Sequence, residues 1–171
     1  MEEAIAILET GRGRFIIPSD GQFEQEGVDF IPAEDAKIEA AKLITKHSMV
    51  AGSYQVAYLW KRKGGARNGA QTMGACQKPS GLLSYFSNVD FVIWLAADHC
   101  RGLKYTSTQL EALLFHELQH IGEDPDSEKP LLVPHDFEGF RSEVEEYGFW
   151  DERTRNMATA FQMRFDMDGT Q

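Results

Sequence analysis

Two histidines and a glutamate set the chemistry that this sequence can attempt. Residues 106 to 121 run Thr-Ser-Thr-Gln-Leu-Glu-Ala-Leu-Leu-Phe-His-Glu-Leu-Gln-His-Ile, a His-Glu-x-x-His pattern inside a helical one. Leu110, Leu113, Leu114, Leu118 and Ile121 recur at helical spacing. Thr108 with Glu111 three residues on forms the pattern of a capping box, and Gly122 offers a stop. On such a helix His116 and His120 lie one turn apart on the same face, so both imidazoles can reach one tetrahedral ion. Glu117 projects beside them, in the place of a general base that takes a proton from a metal-activated water. The plainer alternative is a surface helix with two solvated histidines. Against it stands the apolar arc alongside them, which packs the helix into a core with the histidines at its margin.

A hydrolytic zinc site takes three protein ligands and keeps one position for water, so a third ligand is required. The metzincin spacing is absent, because Glu123 and Asp126 stand where its glycine and histidine would fall, and the inverted His-x-x-Glu-His motif is absent too. His135 is the leading candidate, since imidazole suits zinc and the loop from Gly122 is long enough to fold back. Glu138, Glu143 and Glu146 remain as the reserve. His99, Tyr105 and Tyr147 can in principle donate a proton or stabilise an oxyanion, but packing is the simpler role for the tyrosines, and a loop histidine without a partner seldom does either.

The elements that must position these groups are read from pattern. Residues 1–32 are mixed, with Gly11-Arg12-Gly13-Arg14 and Pro18, and are expected to be irregular. A helix is expected over about 33–49, with His47 capping its last turn and not acting as a ligand. Tyr54 to Trp60 reads as a strand, Lys61 to Gly69 as a basic glycine-rich turn, and Thr72 to Cys76 as the returning strand. Asn88 to Ala97 is the most apolar run and reads as a buried strand, on whose edge an extended peptide can lie. An acidic loop over 123–134 is followed by a helix from Asp136 to Gly148 and a last one from about Asp151 to Phe165. The fold class is thus α+β, one domain over residues 33–166 with a frayed tail at 167–171: a small sheet, the His-Glu helix and flanking helices.

Composition excludes several partners. The chain has 171 residues with 17 Lys and Arg against 27 Asp and Glu, a formal charge of −10, which disfavours nucleic acid and anionic membrane. The start Met1-Glu2-Glu3 lacks the basic residues of a secretory signal, and no apolar run reaches membrane-span length, so a cytoplasmic protein is expected. Cys76 and Cys100 are expected to be free thiols.

The sequence also resembles a known family, the putative phage metallopeptidases. The resemblance is carried by Asp90-Phe91-Val92-Ile93, Leu113 to Ile121, His135-Asp136-Phe137-Glu138-Gly139-Phe140 and Tyr147-Gly148-Phe149-Trp150, and covers roughly residues 33–150. It implies a zincin-like fold, Zn2+ held by His116, His120 and His135, and Glu117 as the base. The resemblance brings no substrate; a peptide or protein substrate is expected from the site itself and, for a phage-encoded chain, the host cytoplasm as its setting. The expected function is therefore zinc-dependent peptide-bond hydrolysis. The alternatives are a non-catalytic phage accessory protein with a structural zinc that binds a host protein, and an amidase or other zinc hydrolase acting on a non-protein substrate.

Overall fold

A computed structural model describes residues 15–67, 69–135, 140–152, 154–156 and 158–159. The architecture is α+β, as expected. The chain divides into two compact units, residues 1–133 and 134–171.

Residues 15–32 are not irregular. Helix α1 (Asp20–Glu26) starts from Ser19, whose side chain forms a capping box with Gln22, and ends at Gly27 with φ 67°. Strand β1 (Phe30–Pro32) comes next. The capping residues are local and readable, but an apolar run closed by Pro18 masks them. Helix α2 (Glu34–His47) matches the expected helix within two residues at each end. It is followed by a 3₁₀ turn (Val50–Ser53) and strand β2 (Val56–Lys61).

The basic segment does not make a simple hairpin. Lys61 closes β2, while the tight turn lies further on, between β3 (Ala66–Arg67) and β4 (Ala70–Gln71), where Gly69 has φ 80°. Strand β5 (Gly74–Gln77) then leads to a short helix α3 (Gly81–Ser87), which the sequence pattern does not announce, and to strand β6 (Phe91–Ala96).

The four-stranded sheet has the order β1-β2-β6-β5. The expected pairing of the strands near 54 and 72 is therefore corrected: β6 lies between them, parallel to β2 and antiparallel to β5. A run that is apolar on both faces removes most surface from water at the centre of a sheet, and Phe91, Ile93, Leu95 and Ala96 are all buried. For the same reason β6 offers no free edge, and the outer strand beside it is β5.

One face of the sheet carries Val56, Tyr58 and Trp60 of β2, Phe91, Ile93 and Leu95 of β6, and Gly74 and Cys76 of β5, in cross-strand register. After helix α4 (Ala97–Gly102), helix α5 (Ser107–Gln119) packs against β5 and β6 and against α2. Its Leu110, Leu113, Leu114, Phe115 and Leu118 are buried, a core of the size that a chain of this length supports. The cap is Thr106, not Thr108: its hydroxyl accepts from Gln109 N and its own N–H donates to Gln109 Oε1. Gly122 does not stop the helix either. The helix closes on His120, and Gly122 lies in strand β7 (Ile121–Glu123).

The expected acidic loop is a hairpin. Strand β7 pairs with β8 (Pro130–Leu132), and Asp124 closes the turn by accepting from the N–H groups of Ser127 and Asp126, bonds that hold its carboxyl below the usual carboxylate range. In the second unit, helix α6 (Arg141–Tyr147) begins at Phe140 and ends at Gly148 with φ 65°. The Asp136 cap expected for it lies outside the described residues, as do the tail at 167–171 and Glu138. Within the same unit Glu143 is buried and accepts from the indole N–H of Trp150, and Asp151 caps a further helical stretch by accepting from Thr154 N at 2.8 Å.

Candidate metal centre

Helix α5 carries its two histidines in its last turn, where the apolar arc of leucines meets the end of the helix. The rings of His116 and His120 have centroids 5.3 Å apart, the neighbourly distance of i and i+4 on one face. His116 is buried and Glu117 is only 4% exposed.

The chain beyond the helix fixes the second histidine. The β7–β8 hairpin turns it back so that Val133 N donates to the His120 carbonyl at 2.8 Å, and His120 Nδ1 lies 2.7 Å from the Val133 carbonyl. A carbonyl only accepts, so Nδ1 carries the proton, and in the neutral ring Nε2 keeps its lone pair. That is the tautomer of a metal-ligating imidazole, with its second nitrogen held by a backbone acceptor. Gly122 is what lets the two strands approach: a Cβ there would collide with Val133 Cγ2, well inside 3.0 Å.

His135 is two peptide bonds beyond Val133, so the covalent chain keeps its Cα within about 7 Å of the carbonyl's residue. One ligand nitrogen from each of His116, His120 and His135 lies within 4.8 Å of the others, a grouping that can hold one metal ion.

Two residues beside the centre belong to no motif. Gly74 on the outer strand leaves room for Glu117: a Cβ at Gly74 would meet Glu117 Oε1 and the Trp94 carbonyl, each at 3.0 Å. A lone glycine inside a strand pattern is the signal that points to it. Cys76, two residues on and on the same face, has its thiol pushed up to about 12 by burial and by the charge of Glu117. It is therefore a protonated, apolar wall at neutral pH, and both cysteines are free.

His99 has a structural post. Its Nδ1 lies 3.0 Å from the Thr72 carbonyl, and the neighbouring Asp98 accepts from Gly64 N at 2.9 Å, so helix α4 pins both ends of the β3–β4 segment. The crowding is tight enough that a Cβ at Gly64 would collide with the Thr72 carbonyl. His47 packs its ring, tilted by 53°, against Phe115 at 4.8 Å between centroids, and neither it nor His99 joins the histidine grouping.

The chain belongs to the family described as putative phage metallopeptidase, whose profile matches residues 28–162. A metallopeptidase family implies a bound metal ion and a peptide or protein substrate, and the match spans both helical histidines and His135. No curated protein and no solved structure matches the chain. No described helix is long and apolar enough to cross a membrane.

Proposed function

We propose that the protein is a zinc-dependent peptidase, with His116, His120 and His135 as the protein ligands and Glu117 as the general base. The observation that carries this reading is the grouping of the three imidazoles within 4.8 Å, with His120 held in the ligating tautomer by Val133. Three nitrogen ligands leave a tetrahedral ion one open position, which separates a hydrolytic site from a closed structural one. Zinc suits this donor set and, when bound, supplies Lewis-acid polarisation to the carbonyl and to water.

The chain's own residues do the rest. Glu117 accepts the proton of the attacking water on its carboxylate as the water oxygen bonds to the carbonyl carbon, and passes that proton to the amine as the C–N bond breaks. Its burial keeps bulk water from competing, and Gly74 and Cys76 give its carboxylate a close, uncharged wall. The outer strand β5 replaces β6 as the edge on which an extended peptide can pair its backbone. Anionic polymers are poor substrates for a chain of charge −10, and the host cytoplasm is the setting proposed.

The test is a metal analysis beside Glu117→Gln. About one zinc per chain is expected by elemental analysis in both proteins. The variant should keep its melting temperature and lose hydrolysis of a peptide library by roughly a hundredfold or more, the usual contribution of a positioned base. A phage-linked phenotype that survives Glu117→Gln but not His116→Ala would instead assign the zinc to folding and the function to binding a host protein.

A further inference from the structure

A second place in the molecule is built to meet a ligand, and it owes nothing to the histidines. A cleft of about 380 Å3 opens where β1 and β2 end, lined by Asp29, Phe30, Lys61, Arg62 and Lys63. It gathers three consecutive cations in a chain whose formal charge is −10.

The sheet fixes how they stand. Phe30 and Lys61 are cross-strand partners and share a face of the sheet. The Lys61 ammonium is held 4.3 Å over the Trp94 ring and 5.9 Å from that of Phe30, so aromatic faces and not a carboxylate orient it. Arg62 pairs a terminal nitrogen with Glu24, but its Nε is buried without a hydrogen-bond acceptor. That nitrogen is shut off from solvent and so from a ligand in the cleft, which leaves the two lysines to meet one. Neither Lys61 nor Lys63 has a carboxylate within ion-pair distance among the described residues, whereas Phe30 leaves 43% of its surface open.

The lining also limits the ligand. Glu24 offsets Arg62 and Asp29 offsets one lysine, so the cleft keeps an excess of about one positive charge, by a count of Lys61, Arg62 and Lys63 against Glu24 and Asp29. A polyanion needs a longer basic track and would run into Glu24 on helix α1. A single carboxylate beside an apolar group fits better: the carboxylate faces the lysines, and the apolar group rests on Phe30.

We infer that this cleft docks a peptide segment presenting one acidic residue next to an aromatic one. The interaction is independent of the metal centre.

The experiment is fluorescence anisotropy of the full chain with short labelled peptides carrying Phe-Glu, Phe-Gln or Ala-Glu at their centre. The Phe-Glu peptide should bind, more weakly as salt rises, and replacing its Glu by Gln should weaken it roughly tenfold, as loss of a charge-assisted hydrogen bond does. Lys61→Gln and Lys63→Gln should each weaken it, Asp29→Asn should tighten it, and Lys37→Gln on α2 should leave it unchanged, with zinc content the same throughout. Equal binding of the Phe-Glu and Phe-Gln peptides overturns the inference. So does an RNA oligonucleotide or an anionic vesicle that binds more tightly and responds to the same substitutions. Should Lys61→Gln unfold by circular dichroism, the Asp29→Asn result decides alone, since it neutralises a carboxylate that no described hydrogen bond uses.

Discussion

Helices α2 and α5 are of similar length, 14 and 13 residues, pack on each other against the same sheet, and both close on a histidine. Yet His47 at the end of α2 is a packing group against Phe115, while His120 at the end of α5 is one corner of a histidine grouping. The helices themselves do not explain this. After α2 the chain enters the left-handed region at Ser48 and moves off into a 3₁₀ turn. After α5 it makes a hairpin and comes back, so that a backbone carbonyl orients the imidazole and His135 comes two residues later. On the proposed reading, a helical histidine becomes a ligand when the chain beyond it returns to hold its second nitrogen.

The strongest way to break this contrast is to exchange the two histidines' fates. His120→Ala should abolish stoichiometric zinc, and His47→Ala should leave it intact while lowering the melting temperature through the lost contact with Phe115. Elemental analysis of both variants reads the outcome. Zinc retained in His120→Ala, or lost in a folded His47→Ala, would dissolve the distinction.

A subtler variant leaves every ligand in place. Gly122→Ala puts a methyl group against Val133 Cγ2, too close unless Val133 shifts. The strain should cost about 1–3 kcal/mol of stability, as overpacking does. Because the displaced residue is the one whose carbonyl holds His120, zinc affinity should fall about 10- to 100-fold, the usual effect of losing the partner of a ligating imidazole. Competition with a chelator measures the affinity and thermal melting the stability. A variant that is destabilised but binds zinc as before would show that the Val133 carbonyl does not orient the ligand.

The same contrast explains what the sequence could and could not disclose. The His-Glu helix is legible because its signals are local: a 3.6-residue apolar period and two histidines at i and i+4. Its cap is ambiguous, since Thr106 with Gln109 and Thr108 with Glu111 both satisfy the capping pattern, and the fold uses the first. Gly122 reads as a helix stop because glycine after a helix usually serves as one, whereas here it serves a close strand contact. The order of the sheet is hidden for a different reason. Pairing partners are set by non-local burial, and the side chains of Val56–Lys61 and Gly74–Gln77 carry no mark that a third strand will come between them; β6 enters there because it is the run with the most to bury. The Val133 carbonyl could not be found at all, since a backbone acceptor has no residue type.

The smallest effect is expected on the α2 side, and it sharpens the comparison because the substitution is the same. Gly52 lies just beyond α2 in the 3₁₀ turn, and a Cβ there would stand 3.0 Å from Ile44 Cγ2, a contact that needs a few tenths of an ångström of relief. Ile44 is half-buried on an open groove beside Thr45 and Tyr54, so its side chain has room to move. Replacing glycine by alanine also narrows the unfolded ensemble, which by itself stabilises by about 0.4–1 kcal/mol where the backbone conformation is compatible. Gly52 does not lie in the left-handed region, so that gain is available and offsets the crowding. Gly52→Ala should therefore shift stability by less than about 1 kcal/mol in either direction and leave zinc affinity unchanged. Denaturant melts and chelator competition run beside Gly122→Ala give the comparison directly. If alanine at Gly52 weakened zinc as much as alanine at Gly122, the effect would be a general loosening of the fold, and the returning hairpin would lose its claim to be what makes the histidines of α5 different from that of α2.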